Sequence, residues 1–219
     1  MDELDIARSE LASNYIKHGT GIEIGAFGRP VKLTANVNVR YVDKNPLDIV
    51  LRQHNLPPNQ NLREPDILDD GCVLSSIVDD SLDFIISCHF LEHAEDFIGA
   101  MLAQISKLKR GGILFYILPD KARMFDAPRP TIPIAHLSWD HELGTEHSRE
   151  RHIQEWMQIF PTADIEYIRR EPEQIHFHSW TADEQFHLAK YLEGTMNIGH
   201  LVTETFAKWP EVATIFRKR

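Results

Sequence analysis

No run of apolar residues in this chain approaches the length of a membrane span, and its start shows no basic, apolar leader. Cysteine is scarce too. Cys72 and Cys88 are the only two, and neither sits in a metal-binding or redox spacing. A disulfide scaffold is therefore excluded, and a reducing, cytoplasmic setting is expected. Basic residues are outnumbered, 23 Lys and Arg against 33 Asp and Glu, which leaves a formal charge of -10. That balance argues against a nucleic-acid backbone or an anionic membrane as the main partner. Glycine is sparse where a dinucleotide fingerprint would need three: Ile-Glu-Ile-Gly-Ala-Phe-Gly-Arg, residues 22–29, holds only Gly25 and Gly28.

What is present reads as an ordinary soluble globule, with 42% hydrophobic residues in a chain of 219, long enough for a single well-cored domain with an insertion. Leu4, Ile6, Ala7, Leu11, Tyr15 and Ile16 recur at helical spacing, and Gly19 stops that helix. Gly21–Gly25 is a short strand carrying Glu23. Eighteen residues after Gly25, a second apolar run, Val39–Asp43, ends in another carboxylate. This is the layout of a nucleotide-binding β-α-β unit, in which the turn admits the ligand to the backbone and the second acid meets ribose hydroxyls. Asn45-Pro46 opens a short helix to about Gln53, residues 56–61 form a loop, and Arg63–Leu68 is a weakly marked third strand.

Leu82–Ser87 is an uninterrupted apolar strand, Glu92–Lys109 an amphipathic helix, and Ile113–Leu118 a second apolar strand after the Gly111-Gly112 stop. Buried strands alternating with such helices imply a parallel sheet covered on both faces. Residues 121–180 change character, being rich in Pro, His, Arg and Trp and holding six of the twelve histidines. Within them Ser148–Phe160 is helical, with Ser148 as the cap. Thr181-Ala-Asp-Glu184 is a capping box opening a helix to about Leu192, and Leu201–Phe206 with Glu211–Arg217 form an antiparallel hairpin.

The order of elements resembles the class I S-adenosylmethionine (SAM)-dependent methyltransferases. The specific segment is Leu82-Asp-Phe-Ile-Ile-Ser-Cys-His-Phe-Leu-Glu-His93, then a helix, then Leu108-Lys-Arg-Gly-Gly-Ile-Leu114. Two departures stand out: Arg110 where the family favours proline, and Ala26-Phe27 in the first glycine motif. A bacterial subgroup of uncharacterised members, linked with polysaccharide or glycolipid assembly, is similar through Pro119-Asp-Lys121, Phe125-Asp126, Arg129-Pro130, His136-Leu137, Ser148-Arg149, His152, Glu155-Trp156 and His176-Phe-His-Ser-Trp180.

The resemblance implies a Rossmann-like α/β fold with a seven-stranded, mostly parallel sheet, helices on both faces and a C-terminal antiparallel hairpin. Residues 20–120 are the cofactor-binding core, 121–180 a substrate-side lid after strand five, and 181–219 the closing helix and hairpin. It also implies roles. Gly25, Ala26, Phe27 and Gly28 approach the methionyl end of SAM, and Glu23 holds the turn or receives the amino group. Asp43 takes the ribose hydroxyls, Asp66 with Ile67 reads adenine, and Cys88 and His89 lie beneath the methionine. His93 or a histidine of the lid is the candidate base, Asp120 a second candidate catalytic group, and Arg129, His136, His152, His176 and His178 candidate contacts to a small polar acceptor such as a saccharide or glycolipid oxygen.

No metal site is expected in the lid, because its histidines show no i,i+4 pair: His136/His141 and His147/His152 are both spaced by five. Trp139, Trp156 and Trp180 serve as core or as sugar platforms. Three rival functions stay open at this point: a nicotinamide-dependent oxidoreductase, a methyltransferase-like binding domain without turnover, and a metal-dependent hydrolase built on the lid.

Overall fold

The computed structural model describes residues 3–33, 36–53 and 62–219; the loop expected at 56–61 lies outside the described residues. Helix α1 (Glu3–Tyr15) leads into β1 (Gly19–Ile24), followed by β2 (Val37–Asp43), α2 (Leu47–Gln53) and β3 (Ile67–Leu68). Strand β4 (Leu82–Cys88), a 3-10 turn (Leu91–His93), α3 (Phe97–Lys107) and β5 (Leu108–Pro119) come next. The seven strands, completed by β6 (Ile198–Thr205) and β7 (Glu211–Lys218), lie in the order β3-β2-β1-β4-β5-β7-β6. The first five pair in parallel, while β7 runs antiparallel to both β5 and β6.

The apolar runs of β4 and β5 are sorted by the two-residue period of a strand. Ile85, Leu114, Tyr116 and Leu118 pack on one side with Phe97 and Met101 of α3. Phe84, Ile86, Ile113, Phe115 and Ile117 pack on the other with Leu11 and Ala12 of α1. Both faces are thereby dry, which is why these strands show no polar alternation. Gly21 permits the close approach of β1 to β4, since a Cβ there would stand 2.3 Å from the Phe84 carbonyl oxygen.

The helix expected at 92–109 is broken. Asp96 caps α3, its carboxylate accepting from the Gly99 amide at 2.7 Å, so residues 91–93 are left as a separate 3-10 turn. The third strand shrinks to Ile67–Leu68, paired with Val42 and Asp43. The Thr181–Glu184 capping box is realised and opens α7 (Ala182–Thr195). Residues 121–180 form a 3-10 turn (Lys121–Arg123), α4 (Ile134–Leu143), α5 (Glu146–Ile159) and α6 (Ile165–Arg170), then an extended run that rejoins the sheet where Trp180 bridges Asp120. Helix α5 starts two residues before the expected cap, and Ser148 instead donates its hydroxyl to Asp140 Oδ1 at 2.7 Å. Trp180 is core, its indole N–H donating to the Ile132 carbonyl at 3.0 Å. No helix among the described residues is long and apolar enough to cross a membrane.

Candidate active site

A cleft of about 1420 Å³ opens above the carboxyl ends of β1, β2 and β4. Glu23, Gly25, Ala26, Phe27, Gly28, Asp43, Cys88, His89 and His93 all line it, so nine expected site residues from four separate segments meet in one place. The carboxyl edge of a parallel sheet is where such folds bind nucleotides.

One end of the cleft is shaped by backbone. Gly25 takes a positive φ of 63° and its amide donates to the Val42 carbonyl at 3.0 Å, tying the turn to β2. Phe27 also sits in the left-handed region, at φ 50°, an unusual conformation for a bulky residue. Beneath the turn Glu23 is wholly buried, and both its oxygens receive the Val31 amide, at 3.0 and 3.1 Å. Burial pushes its pKa up to about 8, with the Val31 amide and Arg8 pulling the other way. Asp43 ends β2 at the cleft wall, and its Oδ1 accepts from the Asn45 amide at 3.1 Å.

Asp66 and Ile67 do not line the cleft, which corrects the expectation placed on them. The Asp66 carboxylate accepts from the Tyr41 amide at 2.8 Å, and Ile67 is committed to pairing in β3. Asp70, Gly71 and Cys72 occupy the wall instead, with Asp70 Oδ1 accepting from the Cys72 amide at 2.8 Å. Gly71 lets this wall pack closely on β1, since a Cβ at this position would come within 2.4 Å of Ile24. The Asp69-Asp70-Gly71 turn was the available signal, because a strand that ends at Leu68 delivers those residues, not Asp66, to its carboxyl end.

The other end is electrostatic. His89, at φ 51°, places Nε2 2.9 Å from Glu211 Oε1 and Nδ1 3.3 Å from Glu92 Oε1. Burial alone would lower its pKa, yet Glu211 and Glu92 outweigh that and raise it to about 9. Arg8 donates to both Glu211 oxygens, Nε to Oε2 at 2.9 Å and Nη2 to Oε1. Glu211 is buried, but His89 and Arg8 overcome the burial and hold it at about 2. Burial likewise disfavours the Glu92 carboxylate, and His89 prevails to keep it below the ordinary value. The two cysteine thiols are inert by the same logic, Cys72 being pushed up to about 12 by burial and Cys88 well above its ordinary value.

His93 completes the cleft. Its Nδ1 lies 2.9 Å from the Ile175 carbonyl, which can only accept, so Nδ1 carries the proton and Nε2 keeps its lone pair. Burial lowers its pKa, helped by His176 and opposed by Glu92. A neutral imidazole with a basic Nε2 is the result.

The remaining expectations are corrected. Asp120 does not line the cleft and caps the 3-10 turn, accepting from the Ala122 amide at 3.1 Å. Arg129 is buried and donates to Asp126 (3.0 Å) and to the His176 (2.6 Å) and Phe177 (3.2 Å) carbonyls. His176 Nδ1 meets Asp126 at 2.6 Å. His136, His152 and His178 gather with Asp140 inside the lid. None of these five lid residues lines the cleft; the lid contributes Thr145, Arg149, Pro172, Gln174 and Phe177.

No family model matches the sequence, and no curated protein does. Solved structures do match in fold. A SAM-dependent methyltransferase from Aquifex aeolicus aligns over 100% of this chain and 94% of its own at TM-score 0.53 and 9% identity. The N-methyltransferase NodS from Bradyrhizobium japonicum WM9 aligns over 99% and 98% at 0.50 and 14%. The chain has the Rossmann-like fold of the class I methyltransferases. A structure from Rhodobacter sphaeroides, provisionally named a zinc-dependent alcohol dehydrogenase, also aligns, over 97% and 90% at 0.56 and 12%. At such identities a shared methyltransferase-type sheet is a statement of fold alone.

The charge-matched end of the cleft makes its own prediction. Replacing Glu211 with Gln leaves the buried Arg8 and the half-buried His89 beside a neutral partner, and should cost about 3 kcal/mol in urea unfolding. The pH dependence follows from the shifts. His89, raised from 6.5 to about 9, contributes stability in full below 6.5 and loses it as pH climbs through 9. Glu211, lowered from 4.5 to about 2, contributes above 4.5 and loses it as pH falls through 2. Glu23, raised from 4.5 to about 8, adds to the alkaline loss. Thermal midpoints should therefore fall as pH climbs from about 6.5 to 9 and again as it drops from about 4.5 to 2, with a shallower alkaline slope in the Glu211→Gln variant.

Proposed function

We propose that this chain is a SAM-dependent methyltransferase acting on a small polar acceptor. The observation that supports the reading best is the polarised cleft: a glycine turn, Asp43 and an Asp-Gly wall at one end, and a neutral histidine beside matched charges at the other. The size fits a nucleoside-containing cofactor.

Asp43 would hold the ribose hydroxyls as a bidentate acceptor, Asp70 with the Gly71-Cys72 backbone would meet adenine, and the Gly25–Gly28 turn would carry the methionyl end. When bound, the cofactor supplies an activated methyl group on a sulfonium that is already a good leaving group. The protein's work is then orientation and exclusion of water. His93 Nε2 takes the proton from an acceptor hydroxyl as the oxygen becomes nucleophilic.

The lid side of the cleft suits an uncharged polyol. Thr145 Oγ1 donates to Glu95 at 2.8 Å, and Arg149 Nε donates to the same carboxylate at 2.8 and 3.0 Å, so these charges are already matched within the protein. A saccharide or glycolipid hydroxyl is the acceptor class that such a wall of matched, hydrogen-bonding groups admits best. Isothermal titration with SAM, S-adenosylhomocysteine and NADH tests the cofactor. Micromolar binding of the first two and none of NADH is expected; NADH binding alone would move the chain to the oxidoreductases.

A further inference from the structure

Inside the lid, outside the cleft lining, four potential ligands converge: His136, Asp140, His152 and His178. Their coordinating atoms all lie within 4.8 Å of one another. His136 Nε2 stands 2.9 Å from His152 Nε2 and 3.0 Å from Asp140 Oδ2, and His178 Nε2 is 3.5 Å from that same oxygen. Four donors held about 2.0–2.1 Å from a tetrahedral zinc ion would be spaced by about 3.4 Å. The three imidazoles form a near-regular triangle, with ring centroids 5.0, 5.7 and 6.0 Å apart.

Hydrogen bonding alone does not account for this packing. His136 Nε2 has one proton at most, yet it faces both a carboxylate and a second imidazole nitrogen. The opposite ring nitrogens, Nδ1 of His152 and of His178, are buried with no hydrogen-bond partner. Coordination through every Nε2 resolves the crowding, because a cation takes all the converging lone pairs and leaves each proton on Nδ1.

We propose that these four side chains bind one zinc ion that staples the lid. Three imidazoles and a carboxylate are a zinc set, and all four residues are buried with no open position, as in structural rather than catalytic sites. The surrounding groups fit as well. Ser148 Oγ fixes the other Asp140 oxygen at 2.7 Å, and Glu155 Oε2 faces His152 Nδ1 at 3.7 Å. The ion joins α4, α5 and the extended run after α6, a region whose own apolar cluster is small: Ile153, Ile168, Ile175 and Phe177.

The site also bears on the cleft. The Phe177 and His178 amides both donate to the Glu92 carbonyl, at 2.8 and 3.2 Å, and Ile175 holds His93. The metal-anchored strand is thus the one that positions the candidate base. Sequence spacing concealed the site because the helical partner of His136 is the carboxylate Asp140, and the other ligands come from separate segments.

The proposal does not depend on methyl transfer. Tag-free protein purified without chelator should carry about one zinc per chain by mass spectrometry of metals. His152→Ala and His178→Ala should lose it, while His187→Ala, altering an exposed histidine of α7, should retain it. Chelation should lower the Tm of the wild type, and returning zinc should restore it by roughly 5–10 °C. Cobalt in place of zinc should show the visible absorption of a four-coordinate ion. Metal-free wild type whose Tm ignores both chelator and zinc would overturn the proposal, as would zinc retained in both variants. Should the variants fail to fold, the wild-type chelation and cobalt measurements still decide.

Discussion

Asp43→Ala should weaken binding of SAM and S-adenosylhomocysteine by about 100-fold, with the fold intact. The carboxylate stands at the end of β2 and lines the cleft. Each charge-assisted hydrogen bond to a ligand hydroxyl contributes about 1.5–3 kcal/mol, so two of them correspond to a factor of that order. Asp43→Asn keeps one acceptor oxygen and should lose about 10-fold. The Asn45 amide that donates to Asp43 Oδ1 stays near solvent, so neither change should shift the circular-dichroism spectrum. Equal affinity in all three proteins would remove Asp43 from the ribose role. It would also favour a ligand oriented the other way along the cleft.

His93→Gln should lower turnover by about 10²–10⁴ and leave cofactor affinity unchanged, the signature of a lost general base. Glutamine can still donate to the Ile175 carbonyl, so the chemistry is removed with little disturbance to the lid strand. The pH profile of the wild type offers a second reading. His93 must be neutral to accept a proton, and burial holds its pKa below the ordinary 6.5. Turnover should therefore rise with pH along a limb centred below 6.5, and that limb should vanish in the variant. Unchanged turnover in His93→Gln, assayed against a panel of saccharide acceptors, would show that the acceptor needs no base.

The sheet was legible because its signals are local. The apolar runs at 82–87 and 113–118 and the Thr181 capping box each depend on a few adjacent residues, and each reappears in the structure, whereas Gly111 and Gly112, expected to stop a helix, lie inside β5 after α3 has ended at Lys107. The site was legible only where position in the chain settles position in space. Gly25, Asp43, His89 and His93 sit at or just after strand ends, and a parallel sheet brings such ends together. Asp66 failed because the third strand starts late, at Ile67, so the acids at its carboxyl end are Asp69 and Asp70.

The lid residues failed for another reason. Arg129, His136, His152, His176 and His178 are the residue types that contact polar ligands, but their partners are one another and nearby backbone carbonyls. Residue type is visible in a sequence; the partner that satisfies it is not. Arg8 was missed outright, since nothing around it marks a helix residue that reaches Glu211 on the last strand.

That last contact bears on how the molecule is assembled. Arg8 and Glu211 are 203 residues apart in the chain, and β7, which carries Glu211, inserts between β5 and β6 rather than adding to an edge. The cleft-lining segments of β1, β2 and β4 emerge early in synthesis, yet Arg8 and His89 have no counter-charge from Glu211 until the final strand threads into place. Contacts of such sequence separation form slowly. Ligand competence should thus arrive last and in one step during refolding, well after the parallel half of the sheet has gained its backbone pairing.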